Sequence, residues 1–206
     1  QISPVIRRPG AYRCICVEVD VHDLAIAAIT DAKLAVMSAI QTSQGDGTIL
    51  GAEGGNVMTS TAPLGDEMAT AVSLPLLRGL VQSWLRNAAS RSSRVADDLL
   101  HHFYRLICSP DATMHDPALH RIVHSLMKST FFRLLGELQH LGSTIICATF
   151  NRITVATNKI DLFDAKEYID FVLTTIQKRG GAESEGGLAR ISLQPNNFYS
   201  HYIFLD

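Results

Sequence analysis

The chain has 206 residues, 47% of them apolar and 18% charged, with a mean hydropathy of +0.14, which excludes a wholly disordered chain and calls for a sizeable core. Its apolar runs are broken every few residues by Arg, Lys, Asp, His or Gly, so none reaches the roughly 18 unbroken apolar residues of a membrane-spanning helix. Lys and Arg number 18 against 20 Asp and Glu, for a net charge of -2; no overall field draws the chain to nucleic acid, and any contact with DNA has to rest on a local patch.

In chain order, a lead with Pro4, Arg7, Arg8 and Pro9 precedes a predicted strand over residues 12–21. Its alternation puts Ile15, Val17, Val19 and Val21 on one face and Cys14, Cys16, Glu18 and Asp20 on the other. The strand passes almost directly into a helix expected over residues 23–40, where Ala, Leu, Ile and Met dominate. Residues 41–70 then change composition sharply, with Gly45, Gly47, Gly51, Gly54, Gly55, Pro63 and Gly65 and no sustained period, and are expected to form a mobile loop within a single 1–206 domain. Helices are predicted over 76–89 and 95–108, the second stopped by Ser109-Pro110.

Asp116-Pro117 reads as a helix start, with Asp as N-cap and Pro at the first helical position, where its missing N–H costs nothing. Apolar residues at three- and four-residue steps run from Leu119 to Leu138, and Gly142 closes that element. Two β-like runs, 144–149 and 153–157, are so close that only a tight hairpin with Phe150-Asn151-Arg152 at its tip can join them. A last helix over 164–178 stops before Gly180-Gly181, and 191–193 and 199–205 read as closing strands.

The cysteines, Cys14, Cys16, Cys108 and Cys147, are too few and scattered for a disulfide framework, and no signal peptide precedes them, so a reducing intracellular setting is expected; Cys14 and Cys16 share a strand face without a second Cys pair at zinc-site spacing and are expected to be buried thiols. His120 and His124 stand one turn apart on the long helix, with His115 before it and His101-His102 upstream. Without a Glu between them in the zinc-protease pattern, structural or surface roles are expected. There is no Gly-x-Ser-x-Gly elbow, and neither Gly-rich stretch ends as a phosphate loop does. Arg121, Lys128 and Arg133 on the long helix, with Arg152 and Lys159 around the hairpin, could touch a phosphate backbone if they converged; a solvated helix face accounts equally for the first three. The chain opens on Gln1 without a Met and ends on Tyr202-Ile203-Phe204-Leu205, as expected of a piece of something longer.

The order strand, helix, long helix, hairpin, helix is that of a palm, a sheet backed by helices. The segment HFYRLICSPDATMHDPALHRIVHSLMK, then LGSTIICATFNRITVATNK and the closing YIFLD closely resemble the C-terminal, inactive B-family half of DNA polymerase epsilon catalytic subunits, and the resemblance runs from CVEVDVHDLA to Asp206. It implies an α/β (α+β) fold: a degenerate B-family polymerase palm, its mixed or antiparallel sheet carrying a β-hairpin, backed by long helices and interrupted by a helical insertion.

Two-metal nucleotidyl transfer needs several carboxylates in one cluster, to neutralise two divalent ions about 4 Å apart. Active B-family hairpins read Tyr-Gly-Asp-Thr-Asp-Ser; here the similar run is Cys147-Ala148-Thr149-Phe150-Asn151-Arg152, with Thr149 and Asn151 in place of the acids and a cation beside them. The first-strand motif Asp-x-x-Ser-Leu-Tyr-Pro-Ser resembles the stretch from Asp20 to Ala27; its Asp survives as Asp20, but its Tyr is Ala25. The family's Lys-x-x-x-Asn-Ser-x-Tyr-Gly is missing. Glu18 and Asp20 share a face and could hold one weakly bound cation, though two acids on the wet face of a sheet is the simpler reading. The expectation is therefore no catalytic, cofactor-binding or metal site, with Asp20, Thr149 and Asn151 as degenerate active-site positions. Phe150, freed from the nucleotide, is expected to be buried.

What the resemblance implies for function is a non-enzymatic scaffold in the nucleus. This half binds the accessory B-subunit of the leading-strand polymerase and seats it on the replicative helicase, with weak or indirect DNA contact and none with membrane. DNA synthesis, with its magnesium, belongs to an N-terminal half, and zinc and an iron–sulfur cluster belong elsewhere in the full-length protein. The rivals are a nucleic-acid-binding module and a residual nucleotidyltransferase using Glu18, Asp20 and a borrowed acid.

Overall fold

The computed structural model describes residues 6–31, 64–90, 94–112, 114–182 and 187–205. Its strands are β1 (Ile6–Arg7), β2 (Gly10–Tyr12), β3 (Cys16–His22), β4 (Thr144–Ala148), β5 (Arg152–Ala156), β6 (Ser192–Tyr199) and β7 (Tyr202–Phe204). Its α-helices are α1 (Leu24–Thr30), α2 (Leu64–Ala89), α3 (Arg94–His101), α4 (Phe103–Cys108), α5 (Pro117–His140) and α6 (Leu162–Ala182), with a 3-10 turn at Gly187–Arg190. The result is a mixed α/β chain with two compact units, residues 1–31 with 125–206, and residues 32–124.

In the first unit, β1, β4, β5, β3 and β6 form one sheet in that order, every neighbouring pair antiparallel. The expected strand over 12–21 divides in two: Arg13–Ile15 break the run, β2 pairs instead with β7 as a separate ribbon, and β3 alone enters the main sheet. β3 keeps the expected alternation. Val17, Val19 and Val21 are buried on one face, while Cys16, Glu18, Asp20 and His22 occupy the other.

Asp23 joins β3 to α1 in one residue by adopting a left-handed φ of 62°, a conformation that Asp tolerates better than most residues. All seven residues of α1 are buried, which is why its sequence is apolar all round rather than striped. The helix ends at Thr30, short of the expected Ile40. The Thr30 hydroxyl donates back to the Ile26 carbonyl at 2.8 Å, and Asp31 turns extended. The Asp31 carboxylate, fully buried, pairs with Arg133 at 2.8 Å. Residues 32–63, and with them the rest of that predicted helix and most of the predicted loop, lie outside the described residues.

The long helix α5 starts as expected: the Asp116 carboxylate accepts from the Ala118 N–H at 2.9 Å, with Pro117 following. It also stops as expected. Gly142, at φ 86°, donates to Gln139 O and Ser143 donates to Leu138 O, the paired bonds of a Schellman cap. β4 and β5 follow as the predicted hairpin with a two-residue tip, Phe150-Asn151; Arg152, expected in the tip, is the first residue of β5. α6 begins at Leu162, two residues early, because Asp161 caps it through Phe163 N–H at 2.9 Å. It continues to Ala182, past Gly180 and Gly181, since glycine permits a helix end without imposing one.

The closing strands also differ from expectation. β6 runs unbroken over Ser192–Tyr199 despite Pro195, which an edge strand accommodates because that N–H needs no ladder partner. Its register against β3 shifts between Glu18 and Val19, leaving Asn196 as the extra residue of a β-bulge.

In the second unit, Leu64 to Thr70 are helical rather than loop, and α2 continues through Pro75 to Ala89. Two consecutive acids in the sequence, Asp66 and Glu67, are a helix-start signal that the neighbouring Gly65 obscures. The predicted helix over 95–108 is two, broken at His102. Trp84 of α2 meets Phe103 of α4 edge-on at 6.4 Å, and Leu77, Val81, Leu100 and Ile107 of this unit's helices are buried.

Candidate functional site

The non-helical face of the main sheet is divided. Toward one end Cys16, Ile146 and Ala156 form a buried apolar cluster, roofed by Tyr12, Tyr202 and Phe204 of the β2–β7 ribbon together with Cys14 and Tyr199. Toward the other end the same face becomes polar. An open depression of about 700 Å³ is lined there by Glu18, Asp20, His22, Thr149, Asn151, Arg152, Thr154 and Tyr202, among others. All three degenerate positions expected from the sequence, Asp20, Thr149 and Asn151, are thus gathered at one place.

Asp20 and Glu18 reach this face because they are two apart on β3. Arg152 arrives opposite Asp20 because β5 pairs with β3 in that register. Its Nε donates to Asp20 Oδ1 at 2.9 Å, and its terminal nitrogen stands 3.8 Å from Glu18 Oε2. The second oxygen of Asp20 accepts from Asn196 Nδ2 at 2.8 Å. Glu18 Oε2 accepts from Asn197 Nδ2 at 2.9 Å and from the Tyr199 hydroxyl at 3.1 Å. The bulge in β6 makes this set possible: on a regular strand Asn196 and Asn197 would face opposite sides, whereas the extra residue lets both serve the acids.

The electrostatics follow. The Arg152 guanidinium holds the Asp20 carboxyl below the usual carboxylate range, assisted by Asn196, and the Arg152 pKa is itself raised by Asp20 and Glu18. Burial, then the hydrogen bond to Glu18, pushes the Tyr199 hydroxyl up.

Thr149 and Asn151 serve the hairpin, the first through its hydroxyl and the second through its main chain. The Thr149 hydroxyl donates to the Arg152 carbonyl and accepts from the Arg152 N–H, both at 3.1 Å, closing the hairpin, while the Asn151 carbonyl accepts from Val21 N–H at 2.8 Å. Phe150 between them is 3% exposed and meets Phe131 edge-on at 5.4 Å, as its expected packing role requires. This donor set does not fit a pair of divalent ions: the hairpin supplies neutral groups, and a guanidinium already sits against both carboxylates.

The remaining candidates are dispersed. His115 Nδ1 donates to the Ile107 carbonyl at 2.9 Å, the Tyr104 hydroxyl pairs with His124 Nδ1 at 3.3 Å, and the His120 and His124 rings are 6.0 Å apart. Among the described residues no three His, Cys, Asp or Glu side chains gather as a metal site, and no helix is long and apolar enough to cross a membrane. Cys14 is partly buried and Cys16 fully so; burial first, then Cys14, pushes the Cys16 thiol up to about 12. Of the cations considered for phosphate contact, Arg133 and Arg152 are paired with carboxylates of this chain. The Lys128 ammonium lies 6.0 Å from the centroid of the Phe132 ring.

Asn196 and Asn197 escape the sequence reading because it ends one strand at Leu193, and Tyr199 is read there as the start of a separate closing strand rather than as the end of β6. The signal that could have found them is Pro-Asn-Asn preceding Phe-Tyr, a polar interruption inside an otherwise strand-forming run.

Fold and site together define a mixed α/β chain in which an interior strand of the sheet presents two acids to an arginine of the neighbouring strand. The chain belongs to the family described as a domain of unknown function, DUF1744, whose model matches residues 1–206. It is homologous over most of its length to DNA polymerase epsilon catalytic subunits. It is 30% identical over 198 residues to one such protein of Arabidopsis thaliana, covering 96% of this chain and 9% of that protein. A second DNA polymerase epsilon catalytic subunit of the same plant is 30% identical over 203 residues, with the same two coverages. The counterpart in Schizosaccharomyces pombe is 32% identical over 179 residues, covering 84% of this chain and 8% of that protein. The chain therefore spans under a tenth of the length of these relatives.

Proposed function

We propose that this chain is a non-catalytic structural module of a nuclear, replicative DNA polymerase epsilon catalytic subunit. In this reading it is a B-family palm that has lost its chemistry and helps hold the polymerase to the replicative helicase and to its accessory B-subunit. The observation that carries it is Arg152. A guanidinium hydrogen-bonded to Asp20 and close to Glu18 supplies, from within the chain, the positive charge that an active palm takes from divalent ions. With one guanidinium against two carboxylates, the site keeps a net charge of about -1, too little to neutralise and hold the pair of divalent ions that would orient a triphosphate.

Two measurements test this. Primer extension by the isolated segment with magnesium or manganese should be nil, and extension abolished by Asp20→Ala would overturn the non-catalytic reading. Paired salt titrations on the full-length catalytic subunit, one against DNA and one against the accessory B-subunit, compare the scaffold with its nucleic-acid rival. Arg152→Ala with Lys159→Ala should leave DNA binding and its salt slope unchanged, and the B-subunit should remain bound at moderate salt, because apolar interfaces are less screened than phosphate contacts. A steep DNA salt slope that collapses in this double variant, with no stable complex between the two proteins, would favour the rival.

A further inference from the structure

Helix α6 buries one face and leaves aromatic side chains on the other. Ala165, Ile169, Val172 and Ile176 are at most 1% exposed, whereas Phe163 and Phe171 are 75% and 61% exposed. The two phenylalanines are about 12 Å apart along the axis, two turns along the outer face. Glu167 and Asp170, both exposed, stand between them. Ile160, just before the helix and 90% exposed, extends the apolar stretch. These rings add nothing to the core of their own unit, and clustered exposed apolar side chains mark contact surfaces.

The charges select the occupant. Asp164, Glu167 and Asp170 outnumber Lys166 along this stretch, so it repels phosphate backbones and anionic lipid. A second copy of the chain would bring the same acids against it. The complement is a different protein with an apolar groove bordered by Lys or Arg. Aromatic surface of this kind suits a partner that stays bound, because lasting interfaces are the more apolar ones.

We infer that the outer face of α6 docks a permanently associated protein subunit through such a groove, seating Phe163 and Phe171 while its basic rim meets Glu167 and Asp170. This rests on the scaffold reading and gives it a surface.

The test is hydroxyl-radical footprinting of the full-length catalytic subunit, alone and in the assembled polymerase with its co-purifying subunits. Assembly should reduce oxidation of Phe163 and Phe171 by about fivefold or more, as expected for rings moved from water into a packed interface core. Carbodiimide should link Glu167 or Asp170 to a lysine of another protein in the assembly. Phe163→Ser with Phe171→Ser, and separately Glu167→Lys with Asp170→Lys, should each weaken assembly by about tenfold or more at an unchanged unfolding midpoint. Equal oxidation in both states, or protection already complete in the lone catalytic chain, overturns the inference while leaving the scaffold reading standing. If no other protein co-purifies at all, the scaffold reading fails first and this inference with it.

Discussion

Replacing Arg152 by Met keeps the aliphatic stem and removes the charge that sits between Asp20 and Glu18. Two opposing magnitudes set the effect. A charge-assisted hydrogen bond in a shielded site contributes about 1.5–3 kcal/mol, whereas an exposed ion pair contributes about 0.2–1 kcal/mol. The Arg152 side chain is 49% exposed and that of Asp20 22%, so solvent screening places the pair near the lower range, at about 1 kcal/mol. A double-mutant cycle with Asp20→Asn, read by urea unfolding at pH 7, should therefore give a coupling of about 1 kcal/mol. The pH dependence has a definite sign. The Asp20 pKa is depressed in the folded chain, first by the Arg152 hydrogen bond. The contribution is thus complete above the unfolded value of about 3.9 and disappears as pH falls through the lower folded value. The wild type should lose its advantage over Arg152→Met only in that acid window. A coupling under about 0.3 kcal/mol at pH 7, within the scatter of independent sites, or one that vanishes between pH 5 and 7, would refute the internal counter-ion.

Phe150→Ala should cost about 3–5 kcal/mol of unfolding free energy, because it empties a site that is 3% exposed and removes the edge-on partner of Phe131; a cost under about 1 kcal/mol would show the tip to be loosely packed. Arg133→Met should destabilise by about 3 kcal/mol, since it takes a salt bridge from the fully buried Asp31 carboxylate, and Arg133→Met combined with Asp31→Asn should recover part of the loss in the same denaturation assay. The Cys16 thiol, pushed up to about 12 and buried, should resist iodoacetamide at pH 8 until urea unfolds the chain, as mass spectrometry of the labelled peptides would show.

What could be read in the sequence was set by local chemistry. The limits of α5 were legible because Asp116-Pro117 and Gly142 are terminus signals that act within a few residues of themselves. The alternation of β3 and the existence of the hairpin were legible for the same reason, since period and turn length are local quantities. The early end of α1 was not, because it depends on Asp31 finding Arg133 about a hundred positions later. The division of the first predicted strand was equally hidden: residues 10–12 leave the main sheet to pair with 202–204, and pairing between chain ends leaves no mark on either segment alone. Through Pro75 and at Gly180-Gly181 the helices continue past residues that usually stop them, since a Pro or Gly lowers helix propensity without forbidding the helix.

The candidate site shows the same division at finer scale. That Glu18 and Asp20 share a face follows from the period of two, and that Thr149 and Asn151 bring no charge is visible by inspection. That Arg152 ends beside Asp20, rather than pointing into solvent from a hairpin tip, depends on one residue of register: it belongs to β5, not to the turn. Slipped by one position, it would face the buried side that Ile153 now occupies, and the two acids would repel each other with no counter-ion. The bulge at Asn196 makes the same kind of adjustment on the opposite edge, turning a strand that could offer one amide to the acids into one that offers two. Both devices reduce the carboxylates' need for an external cation. Acids hydrogen-bonded from both sides, and half-neutralised by one guanidinium, ask little of a ligand, and the surfaces left for other molecules are those the fold has not used on itself, the outer side of α6 among them.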